Sequence, residues 1–264
     1  MDTTSLDLSR ELDIAQQTAR AIGVYLTQRH GVTQAQKVKA ARDIQLDVDL
    51  GAEEIALEAI RAAFPDDAIL SEEAGASSQP QGRQWIVDPL DGSFNFSHGY
   101  PLFGTAIALR VDEVTALGVI YLPTADELYT AVRGQGAFRN GAALRTSETA
   151  LLSEAIVHVS DFAFTGDPAD NHQRLQVMST LAHAVGRVRM VGTAAGDFAW
   201  LASGRSDGVI MYSLHPWDVE AGALLVSEAG GAVTRVRMPD GQEVYVGGNR
   251  PLHDELCARV ASAR

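Results

Sequence analysis

Residues 85–93 read Trp-Ile-Val-Asp-Pro-Leu-Asp-Gly-Ser, two aspartates three positions apart directly after an apolar run. Pro89 fixes its own φ and holds Asp88 in extended geometry, and Gly92 permits a tight turn or a close backbone approach. A strand ending here delivers both carboxylates to its C-terminal rim, although the same letters are good Asx-turn chemistry. Three other acidic sites share the habit of lying where one element meets the next. Glu72-Glu73 follow a short apolar run, Asp218 precedes the apolar stretch Val219 to Glu228, and Asp49 closes a charged segment with Lys39 and Asp43. Singly, these read as a solvated pair, a helix N-cap and a solvated face. Together they form a set of hard oxygen ligands, which suits Mg²⁺, or Mn²⁺, and not a thiolate-bound metal. Two such ions about 3.5–4 Å apart can clamp the attacking and leaving oxygens of an in-line displacement at phosphorus. One carboxylate must then bridge them.

The elements that would bring these groups together follow from periodicity. Leu12, Ala15, Ala19, Ile22 and Leu26 recur at helical spacing and predict a helix from about Leu8 to His30, with Gly31 as its stop. The stretch Lys37 to Asp49 reads as a loop or hairpin. A second helix is predicted over Leu50 to Phe64, closed by Pro65. Strands are expected over Ala68 to Leu70, Trp85 to Val87, Thr105 to Arg110, Ala116 to Tyr121 and Leu128 to Val132. Ala74 to Gly82 reads as a surface loop and Gly134 to Gly141 as a turn region. The second half alternates. Strands over Ile156 to Val159, Val188 to Val191, Val209 to Tyr212 and Val244 to Gly247 are interleaved with helices over Asn171 to Ala184, Ala194 to Leu201, Val219 to Glu228 and Leu252 to Ala261. This predicts a layered α/β (α+β) architecture with two sheets. Residues 1–264 are read as one unit, with an N-terminal half to about 145 and a C-terminal half from about 146.

A chain of 264 residues buries a core without disulfides. The single cysteine, Cys257, excludes an internal disulfide and a Cys-rich zinc site, and reads as a packing residue of the last helix. The formal net charge of −13 argues against nucleic acid or an anionic membrane as a partner. Met1 to Arg10 lack a signal-peptide core, and no run approaches the ~18 apolar residues of a membrane span. The expectation is a cytoplasmic enzyme acting on a small molecule.

The runs Ser71-Glu72-Glu73, Trp85 to Phe96 and Trp217-Asp218-Val219-Glu220-Ala221-Gly222 closely resemble the inositol monophosphatase family. Lys39 to Asp49, Val191 to Ala195 and Glu228 to Gly231 extend the resemblance, in order, over nearly the whole chain. The resemblance implies a five-layer α-β-α-β-α sandwich, assembled as a homodimer. It implies one Mg²⁺ on Glu72, Asp88 and the Leu90 carbonyl, and a second on Asp88, Asp91 and Asp218. A third would involve Glu72 through waters, near Asp49. Asp91, Gly92 and Ser93 would meet the substrate phosphate, with Gly92 and Ser93 opening a short helix. Thr193 and Ala194 would line the alcohol pocket. The implied reaction is hydrolysis of a phosphate monoester by a metal-activated water, with Glu72 and the Ser93 hydroxyl orienting it, and with sensitivity to Li⁺. His98 and His215 match no catalytic position of the family.

Two positions depart from the family pattern. Met211 stands where a glutamate that binds ring hydroxyls is common, and Leu46 replaces a loop threonine. A thioether accepts hydrogen bonds only weakly, which shifts the expected alcohol away from a strictly inositol-type ring. Inositol monophosphate, other sugar or polyol phosphates, histidinol phosphate and nucleotide-type phosphates are the candidate substrates. The alternative to catalysis is the binding role in transcription antitermination that some bacterial members play. Met211→Glu should raise kcat/KM for inositol 1-phosphate relative to other phosphate esters. A wild type that already prefers inositol 1-phosphate widely, unimproved by the substitution, would show that position 211 does not tune specificity.

Overall fold

The computed structural model describes residues 7–32, 36–40, 43–76, 82–162 and 171–263, with the backbone alone for 36–40 and 43–45. The side chains of Lys39 and Asp43 thus lie outside the description. The helices are α1 (Ser9–Thr27), α2 (Asp47–Ala63), α3 (Ser93–Ser97), α4 (His172–Ala182), α5 (Ala194–Ala202), α6 (Pro216–Glu228) and α7 (His253–Ala261). In the first half the strands are β1 (Gln36–Ala40), β2 (Asp43–Leu46), β3 (Ala68–Ser71), β4 (Gly75–Ala76), β5 (Arg83–Asp91), β6 (Gly104–Val111), β7 (Val114–Leu122), β8 (Glu127–Val132), β9 (Ala137–Arg139) and β10 (Ala142–Ala143). The second half adds β11 (Ile156–Val159), β12 (Arg187–Arg189), β13 (Gly208–Met211), β14 (Ala232–Arg237) and β15 (Glu243–Gly248).

Helices α1 and α2 form because each carries one apolar stripe. Ala15, Ala19, Ile22 and Leu26 are buried on the first, and Val48, Ala52, Ala56 and Ile60 on the second. The two pack on one face of an eight-stranded sheet of order β10-β9-β8-β7-β6-β5-β3-β4. Its strands alternate between two cores, as the two-residue pleat requires. Trp85, Val87, Ile107, Leu109 and Val119 face α1 and α2, while Ile86, Ala106, Ala108 and Ile120 face α5 and α6. The same two helices cover the inner face of a five-stranded sheet of order β12-β11-β13-β15-β14. There Val209 and Met211 point inward, and Ile210, Val244 and Val246 point outward toward α4 and α7. The layers therefore run α-β-α-β-α. Half-buried Cys257 packs against the outermost core.

The segment before α2, expected as a loop or hairpin, is the antiparallel hairpin β1–β2. Several boundaries differ from the sequence reading. Helix α2 begins at Asp47, before Leu50, because the Asp49 carboxylate accepts the Leu46 N–H at 2.6 Å and closes the first turn. Strand β5 runs through both aspartates instead of stopping at Val87. Helix α6 starts at Pro216, a residue suited to a first turn, with His215 as N-cap. Asp218 is thus inside the helix and is not its cap. The short strands β4 and β9 occupy stretches read as loop and turn, and β10 follows the latter, all too short to show alternation; residues 77–81 of the loop lie outside the described residues.

The middle layer tolerates little added volume. A Cβ on Gly222 of α6 would lie 2.4 Å from the Phe198 Cβ of α5. We expect Gly222→Ala to destabilise the fold by about 1–3 kcal/mol through overpacking, although alanine is the better helix former. Denaturant unfolding measures this, and an unchanged or raised midpoint would contradict the close α5–α6 crossing.

Candidate active site

Residues i and i+3 of a regular strand point to opposite faces of a sheet. Asp88 and Asp91 nevertheless converge, because β5 bulges between them. Asp88 pairs with Ala106 and Asp91 with Gly104, so three steps on β5 oppose two on β6. Pro89, which has no N–H to lose from the ladder, sits in this bulge, and its carbonyl accepts the Thr105 hydroxyl at 2.9 Å. The extra residue re-aims Asp91, and the first turn of α6 brings in Asp218. One carboxylate oxygen from each of Asp88, Asp91 and Asp218 lies within 4.8 Å of the others.

The N-terminus of α5 meets this cluster. Asp91 accepts the N–H of Ala194 at 3.0 Å and of Ala195 at 2.8 Å, together with the Thr193 hydroxyl. Two amides at the positive end of a helix dipole stabilise the negative charge there. Thr193 also accepts the Gly196 N–H at 3.1 Å and so caps α5. Asp88 has no comparable support. It is 2% exposed, and among the described residues no donor reaches its buried Oδ1.

The titration of these groups records that imbalance. Burial, then the charges of Glu72, Asp91, Asp218 and Asp49, pushes the Asp88 carboxyl well above the usual carboxylate range. Burial lifts Asp91 to about 7, with Asp218 adding to the rise while the Thr193 hydroxyl and the two amides oppose it. Burial also raises Asp218, against the Ser213 hydroxyl and His215. An orphaned carboxylate oxygen in a set of mutually repelling carboxylates fits a divalent cation of oxygen preference.

Around the cluster lies a cavity of about 690 Å³, with Glu72, Asp91 and Asp218 at one end and Thr193, Ala194 and Met211 along its wall. Glu72 lies outside the tight group of three, yet of all the charges it acts most strongly on Asp88. The turn that carries it is held by Glu53, which accepts the Ala74 N–H at 2.9 Å and the Ser71 hydroxyl. The Ser93 hydroxyl donates to the Leu90 carbonyl at 3.0 Å and lies 3.5 Å from Asp49 Oδ1. Gly92 caps α3 with φ +86, and a Cβ there would meet the Leu102 and Gly192 carbonyls at 3.0 and 3.2 Å. Asn95 pins the same three segments, its amide donating to the carbonyls of Leu102, Val191 and Gly192. Of the residues singled out from the sequence, Glu72, Asp91, Thr193, Ala194, Met211 and Asp218 line this cavity, Asp88 clusters with Asp91 and Asp218, and Asp49, Leu90 and Ser93 meet one another beside them. His98 is exposed, and His215 stacks on Trp217 with ring centroids 4.6 Å apart.

The sequence matches the Inositol monophosphatase family over residues 7–263. The chain belongs to the inositol monophosphatase family. A fructose-1,6-bisphosphatase/inositol-1-monophosphatase of Aquifex aeolicus is 33% identical over 250 residues, covering 94% of each chain. Nus factor SuhB of Escherichia coli (strain K12) is 37% identical over 233 residues, 84% of each chain. The crystal structure of extragenic suppressor protein suhB from Bartonella henselae superposes with a TM-score of 0.89 at 31% identity, covering 97% of this chain and 100% of that one.

In this family member the sequence reading passed over Glu53, Thr105, Asp197 and the clamp formed by Asn95. Glu53 had a visible signal. It stands four residues after Asp49 on the buried face of α2, between Ala52 and Ala56, where an acid is out of place unless it holds something. Thr105 had none, because its role depends on the bulge opposite.

The acidic cluster makes stability depend on pH and on cations. Folded Asp91 has its pKa at about 7, against about 3.9 for an unfolded aspartate. Between these values the fold binds more protons than the unfolded chain, so stability falls as pH rises through the window. Asp88 and Asp218 shift in the same direction. In chelator, the thermal midpoint should drop from about pH 4 to about pH 7, and Asp91→Asn should flatten part of that drop. Saturating divalent cation should raise the midpoint at neutral pH. A flat profile in chelator, with no shift on adding cation, would refute this account.

Proposed function

We propose that the chain is a Mg²⁺-dependent phosphatase that hydrolyses small sugar- or polyol-type phosphate monoesters. The carrying observation is the trio Asp88, Asp91 and Asp218, two of them buried, with an Asp88 oxygen that no donor reaches among the described residues, beside a cavity of about 690 Å³. Cavities of this size take ligands of sugar-phosphate dimensions. Glu72, Asp88 and the Leu90 carbonyl are the groups for one ion, and Asp88, Asp91 and Asp218 for a second. A third would involve Glu72. Bound there, the ions would supply Lewis-acid stabilisation of the phosphoryl group and a lowered pKa for an attacking water. The chain's own groups do the rest. The Gly92 and Ser93 amides at the start of α3 hold phosphate oxygens. The Ser93 hydroxyl, with Asp49 at 3.5 Å, orients the water, and Glu72 accepts its proton. Thr193, Ala194 and Ala195 keep Asp91 aimed while it bears charge. The name of the Aquifex relative, a phosphatase of sugar and inositol phosphates, supports the substrate class.

The Nus factor relatives favour a second reading, a binding role in transcription antitermination. A stable complex with RNA polymerase in a pull-down, alongside negligible phosphatase activity, would put that reading first.

A panel of phosphate esters should be hydrolysed in Mg²⁺ and left intact in excess chelator. Asp218→Asn should lower kcat by about two orders of magnitude or more, because an amide is a neutral and weaker ligand for a hard cation. Full turnover in metal-free buffer, or a near wild-type rate for Asp218→Asn at modest Mg²⁺, would reject the metal-dependent reading.

A further inference from the structure

Met211 leaves the wall of the cavity without the carboxylate that a hydroxyl-rich alcohol needs. Another buried carboxylate lies close by. Asp197 lines the same cavity, is 1% exposed, and belongs to the first turn of α5. It stands three residues after Ala194, whose amide holds Asp91, so it projects from the same helix face one turn away from the acidic cluster.

Its carboxylate is half used. Oδ1 lies 2.6 Å from Nδ1 of His158, on β11, and that ring is 5% exposed and packs edge-on against Trp200 at 5.6 Å. The short contact makes Nδ1–H the donor and locks the orientation of the aspartate. Among the described residues no donor reaches Oδ2, and Asp197 borders the cavity. A carboxylate with idle lone pairs in such surroundings gains from a hydroxyl donor.

We propose that Asp197, positioned by His158, accepts a hydroxyl of the substrate's alcohol moiety and selects polyhydroxylated phosphate esters over aryl or simple alkyl ones. The inference rests on the phosphatase reading above. It assigns to α5 the recognition that Met211 on β13 is unable to supply. Burial raises the Asp197 carboxyl, and the His158 contact opposes that rise. His158 touches no substrate in this scheme. It is a positioning residue whose loss would let the carboxylate swing out of line.

The test is a ratio. The kcat/KM values for inositol 1-phosphate and glycerol 2-phosphate are each divided by that for phenyl phosphate, measured on one preparation in saturating Mg²⁺, so that the folded fraction cancels. In Asp197→Ala the ratio for at least one polyol ester should fall about tenfold or more, mainly through KM, because the site loses its acceptor for that hydroxyl. His158→Ala should move the ratio the same way by a smaller factor, and it serves as the test should Asp197→Ala fail to fold. If Asp197 merely ties α5 to β11, the three esters decline together and the ratios stay put, which overturns the inference. A wild type that turns over none of the three overturns the phosphatase reading instead.

Discussion

Three carboxylates held within 4.8 Å of one another, two of them buried, repel each other and are poorly solvated. Most of what is distinctive in this structure follows from accommodating that arrangement in a fold that must exist before any cation arrives. Burial drives all three carboxyls upward, and the protein answers with different means at each. Asp91 receives two helix-terminal amides and a hydroxyl, and Asp218 receives the Ser213 hydroxyl. Asp88 receives nothing at Oδ1 among the described residues, which makes it the group with most to gain from a shared cation.

The layered architecture serves this end. The helices α5 and α6 lie between two sheets and present their first turns to the same rim, so one helix stabilises a carboxylate while the other contributes one. Their close crossing at Gly222 and Phe198 fixes the distance between those two turns. From the opposite side, Glu220 of α6 takes Arg110 and Thr115 of the first sheet, which anchors the helix that carries Asp218. The α1–α2 layer contributes through Asp49 and Glu53, and the second sheet contributes Met211 to the cavity wall. The outer α4–α7 layer covers the second sheet, and Arg174 of α4 also lines the cavity.

On the proposed reading, specificity and catalysis would fall to different groups around the cavity. The acidic end belongs to β5, α6 and the Glu72 turn, elements braced by long-range hydrogen bonds. The wall beyond it is formed by α5 and β13, where a buried His–Asp pair and a methionine lie in place of a single glutamate. Such a division would let the proposed alcohol pocket change while the acidic cluster stays in place, because among the described contacts neither His158 nor Asp197 touches the three clustered carboxylates.

The sequence by itself determined the types of the chemical groups and the ordering of the elements. Local rules were enough for that. The helical stripes of α1 and α2, the alternation of the central strands, and Pro89 with Gly92 beside two aspartates are all short-range patterns, and the resemblance they carried extended to the layers. Tertiary structure alone decided how those groups face one another. Spacing assigns Asp88 and Asp91 to opposite faces, and only the register of β5 against β6 shows the bulge that reverses this. Asp218 read locally as a cap, until Pro216 and His215 took the helix start from it. Glu53 stands out as an acid among core positions, yet its purpose, like that of Asp197, shows only through partners 21 and 39 residues away in the chain. Periodicity reports which face of an element is buried, whereas convergence of charges depends on register and helix phase, which are settled when the layers pack.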